Sequence, residues 1–256
     1  MKIKTNPFSS IVVLTGLLAV TASSVQGQPS NGLVVYFPFN GNAHDASGNG
    51  NDGIVTGAML TTDRFGVPSS AYAFSVSGQG IMTANTNGFP TAMDDFTVSL
   101  WVNVSSIGSD PHQVLLSNHA REQFKLHLGF SGSQAQIGFQ TGGTGAASTP
   151  LVQWTLNRWY NVQLVRSQNT ITIYRDRVQL SSQTTSLGNQ AVPEKRPITL
   201  GYDPTYASPI QQLYGSLDDL RIYNRALTSN ELKQLLSLDT GPQLTRIKQS
   251  HHLSTV

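Results

Sequence analysis

The residues best suited to chemistry crowd into one loop, Asn40-Gly41-Asn42-Ala43-His44-Asp45-Ala46-Ser47-Gly48-Asn49-Gly50-Asn51-Asp52-Gly53. Its glycines let the backbone take positive φ and turn carbonyls inward. Its Asp and Asn side chains supply hard oxygen ligands, of which calcium takes about six to eight at ~2.3–2.6 Å. Oxygen donors without cysteine or clustered histidine argue against zinc. The loop also lacks the terminal Glu and flanking helices of the helix–loop–helix calcium pattern. The same residue types build ordinary turns by bonding their own backbone, so a calcium cage and a self-bonded loop both stand here.

A second acidic point is Asp218-Asp219, inside the run from Tyr214 to Tyr223. Carboxylates are depleted in strands, which asks for a reason. Either one of them completes an ion site, or they pair with Arg221, Arg225 or a neighbouring strand.

Catalysis by paired carboxylates needs two of them on one face. On a strand that means spacing i, i+2 or i, i+4, and a retaining glycosidase holds them ~5–5.5 Å apart. The glutamates are Glu122, Glu194 and Glu231, and none has an acidic residue two positions away. Asp94-Asp95 and Asp218-Asp219 are adjacent, so in an extended chain each pair splits between two faces. His119 and His127 lie near strand-like segments without a nameable partner, which is the pattern of structural histidines. No Gly-x-Ser-x-Gly, phosphate loop or His-Glu-x-x-His occurs. No catalytic residue is assigned.

Aromatic faces with polar groups alongside suit a sugar ring. Trp101 and Trp159 sit inside strand-like runs and read as packing, with Trp154 and Tyr214 as further candidates. Tyr202 and Tyr206 sit in the loop Gly201-Tyr202-Asp203-Pro204-Thr205-Tyr206-Ala207, where a ring is easier to spare for a ligand.

The elements that must position these groups are short strands. Runs at Leu33–Phe37, Tyr72–Val76, Phe96–Val104, Val114–Leu116, Phe124–Leu128, Gln136–Phe139, Trp159–Val165, Thr170–Tyr174, Ile198–Leu200 and Leu220–Tyr223 are separated by turn residues. In Phe96–Val104 the residues Phe96, Val98, Leu100, Val102 and Val104 share one face. Thr97, Ser99, Trp101 and Asn103 share the other, which this period of two directs to solvent or a groove. Many antiparallel strands without helices between them make two packed sheets. Thr228-Ser229-Asn230-Glu231 is a capping box opening one short helix with Leu232, Leu235 and Leu236 on a face, suited to closing an edge of the sandwich.

The first 27 residues are set apart. A charged start at Lys2 and Lys4 precedes the apolar run Ile11–Val20, and small residues follow to Gly27, the order that a signal peptidase reads. The run is shorter than the ~20 residues that span a bilayer. Export with cleavage near Ala22 or Gly27 is expected, to a secreted or extracytoplasmic location. The domain then covers residues 31–238, and residues 239–256 form a loose polar tail. Removing Lys2 and Lys4 takes 16 basic residues to 14 against 14 acidic ones. Such a neutral body gives no electrostatic reason to bind nucleic acid or an anionic membrane. The chain has no cysteine, which removes disulfides, thiolate catalysis and thiolate metal sites.

Three motifs in order carry a family resemblance. Leu33–Gly53 resembles the opening of laminin-G-like jelly-roll domains of exported bacterial proteins, in the concanavalin A-like lectin/glucanase superfamily. Phe96–Val102 and Arg158–Arg166 match its centre, and Gly215–Leu227 with the Glu231 helix matches its close. The resemblance implies an all-β, two-sheet antiparallel jelly roll with one short C-terminal helix. It also implies a structural calcium between the opening loop and the closing motif, carried here by Asp45, Asn49 and Asp218 with Asn40 as an extra ligand. One departure is Tyr174-Arg175-Asp176-Arg177-Val178, where the family has Asp-Gly. Arg177 puts a two-residue hairpin in doubt or lengthens it. The superfamily's glucanases carry Glu-x-Asp-x-x-Glu or Glu-x-Asp-x-Glu on one strand, which is missing here. The expectation is a secreted, non-catalytic module for carbohydrate recognition or adhesion, stabilised by calcium and meeting glycan at Tyr202 and Tyr206, or else a protein-interaction or surface-structural domain whose partner is a cell-surface or extracellular protein. A polysaccharide-active hydrolase or lyase is the third alternative.

Overall fold

The computed structural model describes residues 27–91, 94–118, 124–141, 144–185, 196–204 and 211–239. Residues 1–26 of the expected signal segment, residues 240–256 of the expected tail, Tyr206, His119, Glu122 and Glu194 therefore lie outside the described residues. The strands in chain order are β1 (Leu33–Phe37), β2 (Gly53–Thr56), β3 (Met59–Thr61), β4 (Ala71–Phe74), β5 (Gly80–Thr83), β6 (Phe96–Val104), β7 (His112–Asn118) and β8 (Lys125–Ser131). They continue with β9 (Gln134–Thr141), β10 (Thr144–Ser148), β11 (Val152–Gln153), β12 (Trp159–Ser167), β13 (Thr170–Arg175), β14 (Val178–Thr184), β15 (Ile198–Leu200) and β16 (Gly215–Tyr223), followed by helix α1 (Ser229–Asp239).

Two sheets form. Sheet A runs β14-β13-β12-β6-β16-β4-β3, with β1 also paired to β16, and sheet B runs β10-β9-β8-β7-β15-β5-β2, with β11 on β9. The inner faces share one core. The apolar set of β6 is wholly buried. Phe96 of sheet A meets Phe124 at 4.8 Å and Phe139 of sheet B at 5.7 Å between ring centroids, the spacing at which aromatic edges and faces attract.

The outer face of sheet A differs from expectation. Thr97 and Ser99 are fully buried there, and Trp101 nearly so. Helix α1 does not close an edge. It lies on this outer face, where Leu232 and Leu235 join Val165, Tyr223 and Leu227 in a second apolar cluster. Thr97 Oγ1 donates to Arg225 O at 2.9 Å and accepts the Leu227 N–H at 2.9 Å, tying the segment before the helix to the sheet. A polar residue in an alternating strand thus serves a second core layer. The capping box forms as read: Thr228 N–H and Oγ1 both donate to Glu231 Oε2, and Glu231 N–H returns a bond to Thr228 Oγ1. Arg225 clasps the same Glu231 and holds its carboxyl down at about 2.

The β13–β14 hairpin keeps two residues despite Arg177. Arg175 pairs with Val178, and Asp176 and Arg177 take φ of 49° and 73°. Two successive positive φ values are what a tight hairpin demands, so the arginine accepts a backbone that favours glycine.

Candidate functional site

The outer face of sheet B carries an open polar hollow. Strand β9 reads Gln-Ala-Gln-Ile-Gly-Phe-Gln-Thr, and its period of two sends Ala135, Ile137 and Phe139 into the core. Gln136, Gly138 and Gln140 face outwards, and on β8 the register places Gly129, His127 and Lys125 opposite them in turn. Gly138 is the floor: a Cβ there would fall 2.5 Å from His127 Cε1 and 2.7 Å from Nε2, so the imidazole lies across the space that a side chain would fill. Gln183 closes the wall from the other sheet. Its amide donates to Ser148 O at 3.0 Å and accepts the Ser148 N–H at 3.1 Å, clasping β14 to β10.

The resulting pocket has about 220 Å³ and is lined by His127, Gln136, Gly138, Gln140, Ser148 and Gln183, with Phe139 and Ala147 beneath. His127 Nδ1 and Gln140 Oε1 are both buried there without a hydrogen-bond partner. Burial, with Lys125 and His112 as like-charged neighbours against a weaker pull from Asp110, drops the His127 pKa to about 3. The imidazole is neutral at ordinary pH. Neighbouring Lys125 is buried and spends its ammonium on Gln211 Oε1 at 2.9 Å and Asp203 Oδ2 at 3.7 Å. Such a site offers amides, a hydroxyl and a neutral ring, all of which exchange hydrogen bonds without charge.

A second hollow of about 430 Å³ lies beside Ile107, Phe130, Gln153, Trp154 and Leu156. Trp154 is buried, with Tyr160 tilted against it at 4.4 Å and Phe130 set edge-on at 6.2 Å. Its ring is committed to packing.

The residues expected to hold calcium are placed otherwise. Asp45 Oδ1 accepts the N–H groups of Tyr36 and Ser47, and Oδ2 accepts the Ser47 hydroxyl and the Asn51 N–H, all within 3.0 Å. Asn49 turns its amide nitrogen to Leu33 O and Val34 O. Asn40 is exposed. Buried Asn51, which the sequence reading passed over, pins the loop to Val34 O and Asn87 O and accepts the Asn87 N–H.

Asp218 lies elsewhere, at a bulge in β16 where β4 leaves that strand's edge and β1 takes it over. Arg64, from the loop between β3 and β4, reaches both carboxylates: Nη1 pairs with Asp218 Oδ2, and Nη2 with Asp219 Oδ2 at 2.6 Å. All three side chains are buried. Phe65 and Trp101 lie against the guanidinium at 4.4 and 4.7 Å. Arg221, over the Tyr36 ring at 4.3 Å, is 3.5 Å from Asp219 Oδ1. The opening loop and the closing motif do meet, through Tyr36: its N–H goes to Asp45 and its hydroxyl to Asp219 at 3.0 Å.

As placed, these donors do not fit the calcium set. The Asp45 oxygens already take four donors, and a guanidinium holds the cation's position beside Asp218. Among the described residues, no group of three or more His, Cys, Asp or Glu side chains is arranged to hold a metal ion.

Of the two tyrosines expected to meet a ligand, Tyr202 is half-buried with its ring over Gly80. It lies outside the lining of the polar pocket. Gln136 and Gln140 are legible as outward positions from the period of two in Gln134–Thr141, though amide side chains carry no local mark of a binding site. No described helix is long and apolar enough to cross a membrane.

Known proteins add the following. Domain 4 of AbnA, an extracellular GH43 arabinanase from Geobacillus stearothermophilus determined with arabinotriose, superposes with a TM-score of 0.60 at 18% identity, covering 79% of this chain and 97% of that one. The ligand-binding domain of botulinum neurotoxin serotype D, determined with N-acetylneuraminic acid, gives 0.59 at 16% identity over 79% of this chain and 50% of that one. A Trypanosoma rangeli sialidase mutant displaying trans-sialidase activity gives 0.63 at 20% identity over 84% of this chain and 34% of that one. These likenesses establish the fold. No curated protein matches the chain in sequence. The family model Laminin_G_3 matches residues 76–233, more than half of the chain. The two antiparallel sheets with a single helix among the described residues agree with it, and the chain belongs to this laminin-G-like family of the concanavalin A-like lectin/glucanases superfamily.

Proposed function

We propose that the protein is a non-catalytic carbohydrate-recognition module acting outside the cytoplasm, and that the pocket on the outer face of sheet B receives the sugar. One observation carries this reading. Unpartnered His127 Nδ1 and Gln140 Oε1 stand together in an open pocket walled by Gln136, Ser148 and Gln183. Buried polar groups without partners are costly, and a ligand's hydroxyls would satisfy such a set once the side chains adjust. The arabinotriose and N-acetylneuraminic acid complexes of structural neighbours support a saccharide as the ligand class.

Five of the described carboxylates are already engaged, which supports binding over turnover. Asp218 and Asp219 are held by Arg64, Glu231 by Arg225 and the helix cap, and Asp45 by its loop. Asp110 Oδ1 is taken by His112, and its pull on His127 is outweighed by burial and by Lys125 and His112, which keep that imidazole neutral to about pH 3.

A second reading, a protein-interaction domain, has its own observation. Edge strands β2 and β3 expose Ile54 at 51% and Met59 at 67%, beside Val55 and Leu60. A glycan array probed with the intact chain and with Gln140→Ala separates the two. Saturable glycan binding that weakens in the variant is expected. A silent array beside a protein partner lost on Met59→Asp would overturn the carbohydrate reading, and release of reducing ends from any polysaccharide would overturn the non-catalytic one.

A further inference from the structure

The charges around the pocket restrict what it accepts. The described groups that line it are three amides, a hydroxyl, an imidazole and backbone. Lys125 is the neighbouring cation on the same face, directly opposite Gln140 in the β8–β9 register. It is 2% exposed and turned to Gln211 and Asp203, so its charge is answered inside the protein. His112, the next titratable group on that face, has its ring 5.6 Å from His127 and its Nδ1 on Asp110 Oδ1 at 2.8 Å.

We infer that this pocket selects a neutral sugar unit and discriminates against sugars bearing a carboxylate. The inference rests on the carbohydrate reading above and deepens it. A hydroxyl donates and accepts, so it satisfies an amide or a neutral imidazole in either orientation. A carboxylate only accepts, and it surrenders strong hydration on entering. The described lining supplies amide N–H donors but no cation, and neutral donors alone do not recover that desolvation in full. Discrimination then arises from an uncompensated charge rather than from a clash. The low pKa of His127 agrees: with burial, Lys125 and His112 all opposing protonation, no imidazolium forms in the pocket until well into acid. Size narrows the ligand further. About 220 Å³ is less than the roughly 300–1,000 Å³ of pockets for drug-sized ligands, which suits one ring or a chain end.

The test is titration calorimetry of the intact chain against matched trisaccharides. Glucose- and galactose-based neutral chains are compared with their glucuronic and galacturonic acid counterparts at pH 7, in low and high salt. At least one neutral trisaccharide should bind at least about tenfold more tightly than its uronate, with little dependence on salt because no ion pair forms. In Gln136→Arg, at a half-buried position in the pocket wall, the uronate should gain affinity relative to its neutral partner. Uronates binding as well as neutral chains, or better, would overturn the selectivity and leave the carbohydrate reading in place. Failure of all the sugars to bind, together with a silent array, would remove both.

Discussion

The outer faces of the two sheets are built from similar raw material and put to opposite use. Each carries polar side chains at alternating strand positions with an aliphatic core behind. On sheet A the groups are charged and the space is filled: Arg64 spans Asp218 and Asp219 between two aromatic rings, and helix α1 packs over Val165 and Tyr223. On sheet B the groups lining the pocket are neutral and the space is open. A charge answered by a counter-charge inside the fold has nothing left to offer a ligand. Neutral donors and acceptors around a hollow retain that capacity.

The comparison breaks most readily at Arg64. Truncation to Ala leaves two buried carboxylates without their main counter-charge, a change worth about 3–5 kcal/mol. Urea unfolding should show it as a large fall in the midpoint. A loss below about 1 kcal/mol would place the pair among weak surface bridges and dissolve the contrast between the faces.

The neutral face should reveal itself through pH. The folded pKa of His127 lies at about 3, below the ordinary value of 6.5. Between those limits the unfolded chain carries a proton that the folded chain refuses, so stability falls as pH falls. The slope from this residue reaches about 1.4 kcal/mol per pH unit within the window. Unfolding midpoints from pH 7 to 4 should decline less steeply for His127→Gln than for the parent. Parallel curves would mean that the imidazole protonates freely in the fold.

A smaller effect of opposite sign is expected at Arg177. Glycine in its place removes the left-handed strain but adds freedom to the unfolded chain, for a net gain of about 0.5–1 kcal/mol. An unchanged or lowered Tm for Arg177→Gly would show that the side chain contributes contacts outweighing its φ of 73°. Smallest of all is the response to calcium. With Asp45 spent on its own loop and Arg64 beside Asp218, melts in chelator and in millimolar calcium should coincide. A rise of several degrees with calcium, by mass-action linkage, would show that the loop reopens to take the ion.

How far these features could be read from the sequence depended on whether the cause was local. β1, β6 and β15 begin and end where their apolar runs and flanking turn residues place them, because those signals are local. β2, β3, β10, β11 and β14 are short or polar strands at sheet margins and β5 is a short inner one, and pairing in the folded chain defines them more than composition does. The capping box at Thr228 was legible because cap and partner are three residues apart. Arg64 was not, being 154 residues from Asp218 with nothing in its neighbourhood to indicate that destination. The outward set Gln136, Gly138 and Gln140 was available from period two alone. Its completion by Gln183 from the opposite sheet was not, since that contact exists only once β14 and β10 come together.

The most direct measurement pairs binding with unfolding in one variant, Gln136→Ala/Gln140→Ala. On the reading of sheet B as a ligand face, binding of a neutral saccharide should weaken by more than about tenfold while Tm stays within about 2–4 °C of the parent, the shift of roughly 1 kcal/mol in a domain of this size. Undiminished binding, or a collapse in Tm that accounts for its loss, would contradict the assignment of that face.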